Sequence, residues 1–183
     1  EANRRGIPIG WDCAHSAGAM SHAFSEWGVD FGVWCNYKYL NAGPGSVGAL
    51  YVNRKHFGKK PGLPGWWGYH KDRQFDMLHD FEAAHGAGGW QISTVPILST
   101  APLIGSLDLF EEAGVDKVRA KSLALTEYLM ALLEGRGLTT PAYGYAIGTP
   151  RDPARRSGPF GLSPPKTDSA STRIVEMSRP PFD

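Results

Sequence analysis

The chain has 183 residues, 42% of them hydrophobic and 11% aromatic, with 19 basic residues against 18 acidic ones for a formal net charge of +1. That is a globular balance with enough apolar residues for a sizeable core, and the near-neutral charge calls for neither nucleic acid nor an anionic membrane as partner. Two cysteines, Cys13 and Cys35, make no disulfide framework in a chain this long, and no apolar run reaches the length of a bilayer span, so the expectation is a reduced, cytoplasmic protein.

The chain opens on Glu1 without a methionine and enters a strand-like segment within a few residues, which reads as the middle of a larger protein. Residues 7–12 read as a short buried strand that ends on a carboxylate, Asp12. Residues 13–27, rich in Ala and His, suit a loop and a short helix. Residues 29–35 and 47–53 are two further apolar strand candidates, separated by the Gly-rich turn Asn41–Ser46. Residues 54–95 carry little periodicity and many Gly, Trp, His and Phe, the mark of a long functional loop region.

Two helices are predicted next. In the first, Ile97, Ala101, Ile104, Leu107 and Phe110 recur at three- and four-residue steps, Gly114 suits the position after the last turn, and Pro102 kinks it. Thr94 is a candidate cap for its start. In the second, Val118, Leu125, Leu129 and Leu132 repeat the pattern and end near Gly135. Eight of the 14 prolines lie at residue 141 or later, so the tail reads as turn-rich, without assigned elements.

Continuous apolar strands followed by helices imply an α/β fold with a mainly parallel sheet covered on both faces. Ligands in such folds gather at the carboxyl ends of strands. Asp12 and Lys38, twenty-six residues apart, each lie just past such an end, a separation that suits one strand–crossover–strand unit. A lysine in a polar loop and a carboxylate on the neighbouring strand are what pyridoxal phosphate requires: a covalent anchor, and a partner that keeps its pyridine nitrogen protonated. A thiol–imidazole pair of Cys13 and His15 carries little weight. The spacings of His70, His79 and His85, with Asp72, Asp76 and Asp80 between them, match no standard metal-ligand pattern.

The stretch 11–20, WDCAHSAGAM, and the stretch 27–52, WGVDFGVWCNYKYLNAGPGSVGALYV, closely resemble kynureninase, a fold-type-I pyridoxal-phosphate enzyme. The resemblance continues through Gly65-Trp66-Trp67-Gly68 and residues 90–98, and returns at residues 149–156. It implies that residues 1–105 are the C-terminal half of the large cofactor-binding domain, and that 106–183 hold linker helices and part of a small C-terminal α/β domain. It implies PLP-dependent hydrolysis of L-kynurenine or 3-hydroxy-L-kynurenine to anthranilate or 3-hydroxyanthranilate plus L-alanine, in tryptophan catabolism and NAD biosynthesis.

Roles follow residue by residue from the resemblance. Lys38 binds the cofactor covalently and moves protons at the substrate. Asp12 pairs with the pyridinium nitrogen, and His15 lines the same pocket. Tyr37 bonds the phosphate and is a candidate proton donor. Trp66 and Thr94 complete the cofactor site from the partner subunit of a homodimer, and Ser93 and Tyr69 stand near the substrate's ring. Thr94 and Tyr69 replace the Asn and His of some family members, which leaves the preference between the two kynurenines open. The family's phosphate-cradling loop and ring-stacking residue fall upstream of Glu1, so the chain alone is expected to have little activity. The alternatives are a cysteine desulfurase or another class V aminotransferase, and a non-catalytic dimerisation fragment.

Overall fold

A computed structural model describes residues 1–156 and 160–165; the sequence reading of the tail falls largely outside these residues. The first three strands are β1 (Gly10–Asp12), β2 (Phe31–Cys35) and β3 (Gly48–Val52), in one sheet of order β1-β2-β3. The three predicted strands are present, each shorter than its apolar run. β1 and β2 are parallel, with Asp12 opposite Val33, whereas β2 and β3 are antiparallel, with Cys35 opposite Gly48. The pairing here is thus mixed. The connection from β2 to β3 is a run of turns without a helix, and a short connection returns a strand antiparallel.

One sheet face is aromatic. Trp11, Gly32 and Tyr51 lie side by side across β1, β2 and β3. Phe24 sits over the glycine, where an added Cβ at residue 32 would come 3.1 Å from its ring. Its ring meets Trp11 at 6.3 Å, Trp27 at 6.2 Å, Trp34 at 6.5 Å and Tyr51 at 5.0 Å between centroids. The segment between β1 and β2, which holds turns and no helix, therefore covers this face. On the opposite face, Phe31, Leu50 and Val52 border a cavity shared with Trp90. Phe31, Val33 and Leu50 remain exposed there, so within this chain the sheet is not covered on both sides.

The strand ends are held by one carboxylate. Asp30 is 4% exposed. Its Oδ2 accepts from the Ile9 amide at 2.8 Å; its Oδ1 accepts from Lys55 Nζ at 2.7 Å and from His56 Nε2 at 2.5 Å. The Asp30 backbone donates to the Ile9 carbonyl at 2.9 Å and accepts from the Asn53 amide at 2.8 Å. One residue therefore ties the approach to β1, the start of β2 and the exit of β3.

Residues 54–95 are mainly loop, with single 3-10 turns at Arg54–His56, Trp66–Gly68, Lys71–Arg73 and Ala87–Trp90. The predicted first helix is two: α1 (Ile97–Thr100) and α2 (Pro102–Ala113). The break falls at Ala101, because Pro102 lacks an N–H and suits the first position of a new helix. Thr94 does not cap α1. The residue at that cap is Pro96, no side chain caps it, and its carbonyl instead accepts from Ser99 Oγ at 3.3 Å and Thr100 Oγ1 at 2.8 Å.

Gly114, at φ 79°, separates α2 from α3 (Val115–Gly135). α2 runs through residue 105, so the helix itself joins the two expected domain parts. Two two-residue strands, β4 (Ala146–Ile147) and β5 (Leu162–Ser163), pair antiparallel in the stretch left without elements. No helix among the described residues is long and apolar enough to cross a membrane.

The Lys55, Ile9 and His56 hydrogen bonds, in that order, hold the Asp30 carboxyl well below the ordinary aspartate range. A lowered folded value means that ionised Asp30 contributes its stability above the unfolded value of about 3.9, and that this contribution is lost as the pH falls toward the folded one. Asp30→Asn is expected to cost about 3 kcal/mol at neutral pH, as loss of one partner from a buried ion pair does. In denaturant titrations the gap between the two proteins closes as the pH drops below about 4; a gap that persists unchanged at pH ~3 shows that the carboxylate charge is not what holds the sheet.

Candidate functional site

β1 and β2 are neighbours and parallel, so their carboxyl ends lie on one edge of the sheet. Asp12 is the last residue of β1. It is exposed, and its Oδ1 accepts from the Ala14 amide at 2.9 Å, so the side chain folds back onto the turn it begins. The turn is anchored by the Cys13 amide, which donates to the Val33 carbonyl at 2.8 Å, and it winds through Ala17 and Ser16 amides bonded to the Cys13 carbonyl at 2.9 and 3.0 Å.

Cys13 is buried, whereas His15 is exposed and faces the Tyr39 ring, with centroids 6.3 Å apart. The two do not form a thiol–imidazole pair.

Lys38 stands three residues past the end of β2, half-buried, in a turn closed by the Asn41 amide donating to its carbonyl at 3.0 Å and the Ala42 amide donating to Asn36 at 3.0 Å. Its ammonium lies 5.9 Å from the centre of the Tyr37 ring. The Tyr37 side chain is exposed. The Cys35 side chain, through hydrogen bonding first and charge second, pushes the Tyr37 phenol above its ordinary value.

The two turns pack directly on each other. Gly18, at φ +83°, lies so close to the Lys38 turn that an added Cβ would sit 2.7 Å from the Tyr39 carbonyl oxygen. From below, Ser106 of α2 donates to the Leu40 carbonyl. The turn that bears Asp12 and His15 and the turn that bears Tyr37 and Lys38 therefore pack on each other at one edge of the sheet. Gly18 and Ser106 escaped the sequence reading; a small residue in a tight run and a serine on an apolar helix face were the available signals.

The remaining expected residues form a second group. Trp66 opens the 3-10 turn Trp66–Gly68. Its indole N–H donates to the Gln74 carbonyl at 3.2 Å, and Gln74 Nε2 donates back to the Trp66 carbonyl at 2.9 Å, while half of the ring stays exposed. Tyr69 is buried. Its hydroxyl donates to the Asp80 carbonyl at 3.1 Å, and burial, then the nearby Glu82, push its phenol up.

Ser93 and Thr94 are exposed in the extended segment before α1. That segment meets the Trp66 turn through two glycines: a Cβ on Gly65 would lie 2.0 Å from the Ile92 oxygen, and one on Gly68 2.6 Å from the Gln91 oxygen. Among the described residues, no hydrogen bond or ring contact joins this second group to Asp12, His15, Tyr37 or Lys38. Nor do three His, Cys, Asp or Glu side chains among the described residues converge as metal ligands.

The donor set fits pyridoxal phosphate. One carboxylate oxygen of Asp12 is unclaimed by its own turn, a half-buried lysine stands on the adjacent strand's exit, and a phenol lies beside it.

Residues 1–148 match the Aminotransferase class-V family. The chain belongs to that family. This class-V chain is 56% identical over 162 residues to the kynureninase of Geobacillus thermodenitrificans, a match that covers 88% of the chain and 37% of the relative. It is 54% identical over 158 residues to the kynureninase of Bacillus mycoides, covering 86% and 36%. The chain thus spans little more than a third of the length of these curated relatives.

Among solved structures the class-V chain resembles an apo cysteine desulfurase from Thermococcus onnurineus, with a TM-score of 0.67 at 20% identity over 91% of the chain and 39% of that structure. A cysteine desulfurase of Escherichia coli matches with a TM-score of 0.63 at 18% identity over 88% and 37%. These likenesses show the α/β fold expected from the sequence.

Gly18→Ala is expected to cost about 2 kcal/mol, the scale of forcing a side chain into a left-handed, crowded position. Amide exchange should rise in residues 14–20 and 39–42 together. A rise confined to the first stretch contradicts the packing of the two turns.

Proposed function

We propose that this chain carries the cofactor lysine and the pyridine-side carboxylate of a kynureninase, which hydrolyses L-kynurenine or its 3-hydroxy form to the corresponding anthranilate and L-alanine. The observation that carries the reading is the pairing of β1 with β2, which sets Asp12 and Lys38 at the carboxyl ends of adjacent parallel strands. The 56% identity to a protein named kynureninase supports the choice of reaction.

Pyridoxal phosphate, when bound, supplies an electron sink for the bonds broken at the substrate's carbons. The chain's own residues do the rest. The Asp12 carboxylate would accept from the pyridine N–H and keep it protonated. Lys38 Nζ would hold the cofactor and then serve as the base that takes and returns protons at the substrate. The Tyr37 phenol, beside Lys38, would donate to the phosphate and supply a proton to the substrate carbon that becomes the methyl group of alanine.

His15, exposed on its turn, would close one side of the pocket. Trp66 and Thr94 lie in the second group, and in this reading they reach the site from the partner subunit of a homodimer. Ser93 and Tyr69 would stand near the substrate's aromatic ring, Tyr69 by its packing, since its hydroxyl is engaged with Asp80. The domain division near residue 105, a cytoplasmic location and a place in tryptophan catabolism belong to the same proposal.

The test is direct. The purified chain is mixed with pyridoxal phosphate, reduced with borohydride, digested and mapped. The expected result is one labelled peptide, at Lys38, absent in Lys38→Ala and weakened in Asp12→Asn. Label scattered over the surface lysines, with the chain shown to be folded, overturns the assignment. In cofactor-loaded preparations that have not been reduced, release of alanine with anthranilate from kynurenine distinguishes this reaction from desulfuration or transamination.

A further inference from the structure

The turn that carries Asp12 and His15 is closed by a contact that the proposed chemistry does not use. Ser16 Oγ and His22 Nε2 are 2.9 Å apart and part-buried. Ser16 is the pivot of the turn: its amide donates to Cys13, and its carbonyl accepts from the amides of Ala19 at 3.0 Å and Met20 at 3.1 Å. His22 in turn is fixed by the aromatic layer on the sheet, with its ring 5.0 Å from Phe24 and 6.2 Å from Trp27 between centroids. A continuous path of contacts therefore runs from the sheet face through His22 and Ser16 to the turn that bears Asp12 at its start and Gly18 against the Lys38 turn.

We propose that His22 is a positioning residue of this site: through Ser16 it clamps the turn on which Asp12 and His15 stand. The inference rests on the functional reading above for what the clamp serves, but the clamp itself is a property of the chain.

The clamp is sensitive to acid. Burial lowers the His22 value below that of free histidine, and a hydrogen bond to the Met20 backbone offsets part of this. When the turn opens, the imidazole meets water and binds a proton near pH ~6.5. A group whose folded value is lowered favours the closed form when neutral, so closure is full above about pH 6.5 and weakens as the pH falls below it.

Of the other charged or titratable groups of this region, Glu111, Glu112 and Lys117 line a separate groove with Ser21 and Asp116. Asp116 of α3 accepts from Ser21 Oγ at 2.9 Å, His15 faces Tyr39, and the Tyr51 hydroxyl of β3 pairs with Ser25 Oγ at 3.0 Å. Cys13 is buried and Glu26 is exposed. His22 is the titrating member of the clamp.

The experiment compares the 183-residue chain with His22→Gln, which keeps a hydrogen-bonding group for Ser16 but cannot titrate, and with His22→Phe, which keeps only the ring packing. Amide exchange of residues 13–20, corrected for the intrinsic pH dependence of exchange, is read from about pH 7.5 to about pH 5.5 with β2 and β3 as internal references. The expected result is a severalfold rise in wild-type opening across that range, no such rise in His22→Gln, and raised opening at every pH in His22→Phe.

Equal pH dependence in wild type and His22→Gln overturns the proposal, as does wild-type protection of the turn in His22→Phe. Borohydride labelling of Lys38 in the same three proteins then separates the two readings. A clamp seen in exchange with label scattered over the wild-type surface lysines leaves the turn mechanism standing and refutes the functional assignment of Lys38. Label in wild type that is insensitive to His22→Phe refutes the clamp's role at the site.

Discussion

The buried carboxylate of Asp30 is the interaction on which the geometry of the site depends. β1 is only three residues long, and a strand that short cannot fix its own register by ladder hydrogen bonds alone. Asp30 fixes it from outside the ladder by accepting from the Ile9 amide while its own amide donates to the Ile9 carbonyl. A charge taken out of water is costly unless its oxygens are fully used. Here Lys55 and His56, from the turn after β3, use the remaining capacity and so bring the end of β3 to the same point. The opposition of Asp12 and Val33 at the far end of the parallel pair follows from this anchoring. A slip of one residue would turn the Asp12 side chain to the other face of the sheet.

From that edge outward, the structure relies on close backbone approach. Gly18 lets the Asp12 turn touch the Lys38 turn, and Gly65 and Gly68 let the Trp66 turn touch the segment leading to Ser93. Each contact is too tight for a Cβ, so each pair of loops behaves as one body. The expected site residues thus fall into two internally rigid groups, each with its own local reason for existing. That division suits a site assembled at a subunit interface, since each group keeps its shape without the other.

Much of this was legible in the residues. Apolar runs located the three strands, and the position of Lys38 and Asp12 just past two of them followed. Pro102 and Gly114 marked the breaks between helices for reasons of backbone chemistry that hold in any context. Strand direction was less visible, because an apolar run has no polarity. The signal lay in the connection instead: residues 36–47 are rich in Gly, Asn and Pro and contain no helical period, which favours an antiparallel return. The Thr94 cap failed because Pro96 takes the cap position itself. Two-residue strands such as β4 are below the length at which periodicity exists. The roles of Asp30 and Ser16 depend on partners brought near by folding, and nothing local announces them.

The comparisons divide fold from chemistry. Structures named as cysteine desulfurases share this scaffold at 18–20% identity, so the scaffold does not by itself select a reaction. Selection must lie in the side chains carried on that scaffold. In this chain the candidates are few. Tyr37 stands exposed, its ring 5.9 Å from the Lys38 ammonium. Tyr69, by contrast, spends its hydroxyl on the Asp80 carbonyl, which leaves only its ring for packing. In the proposed reaction, which acts on a substrate with a flat aromatic end, Tyr37 would serve the proton transfer and Tyr69 the packing.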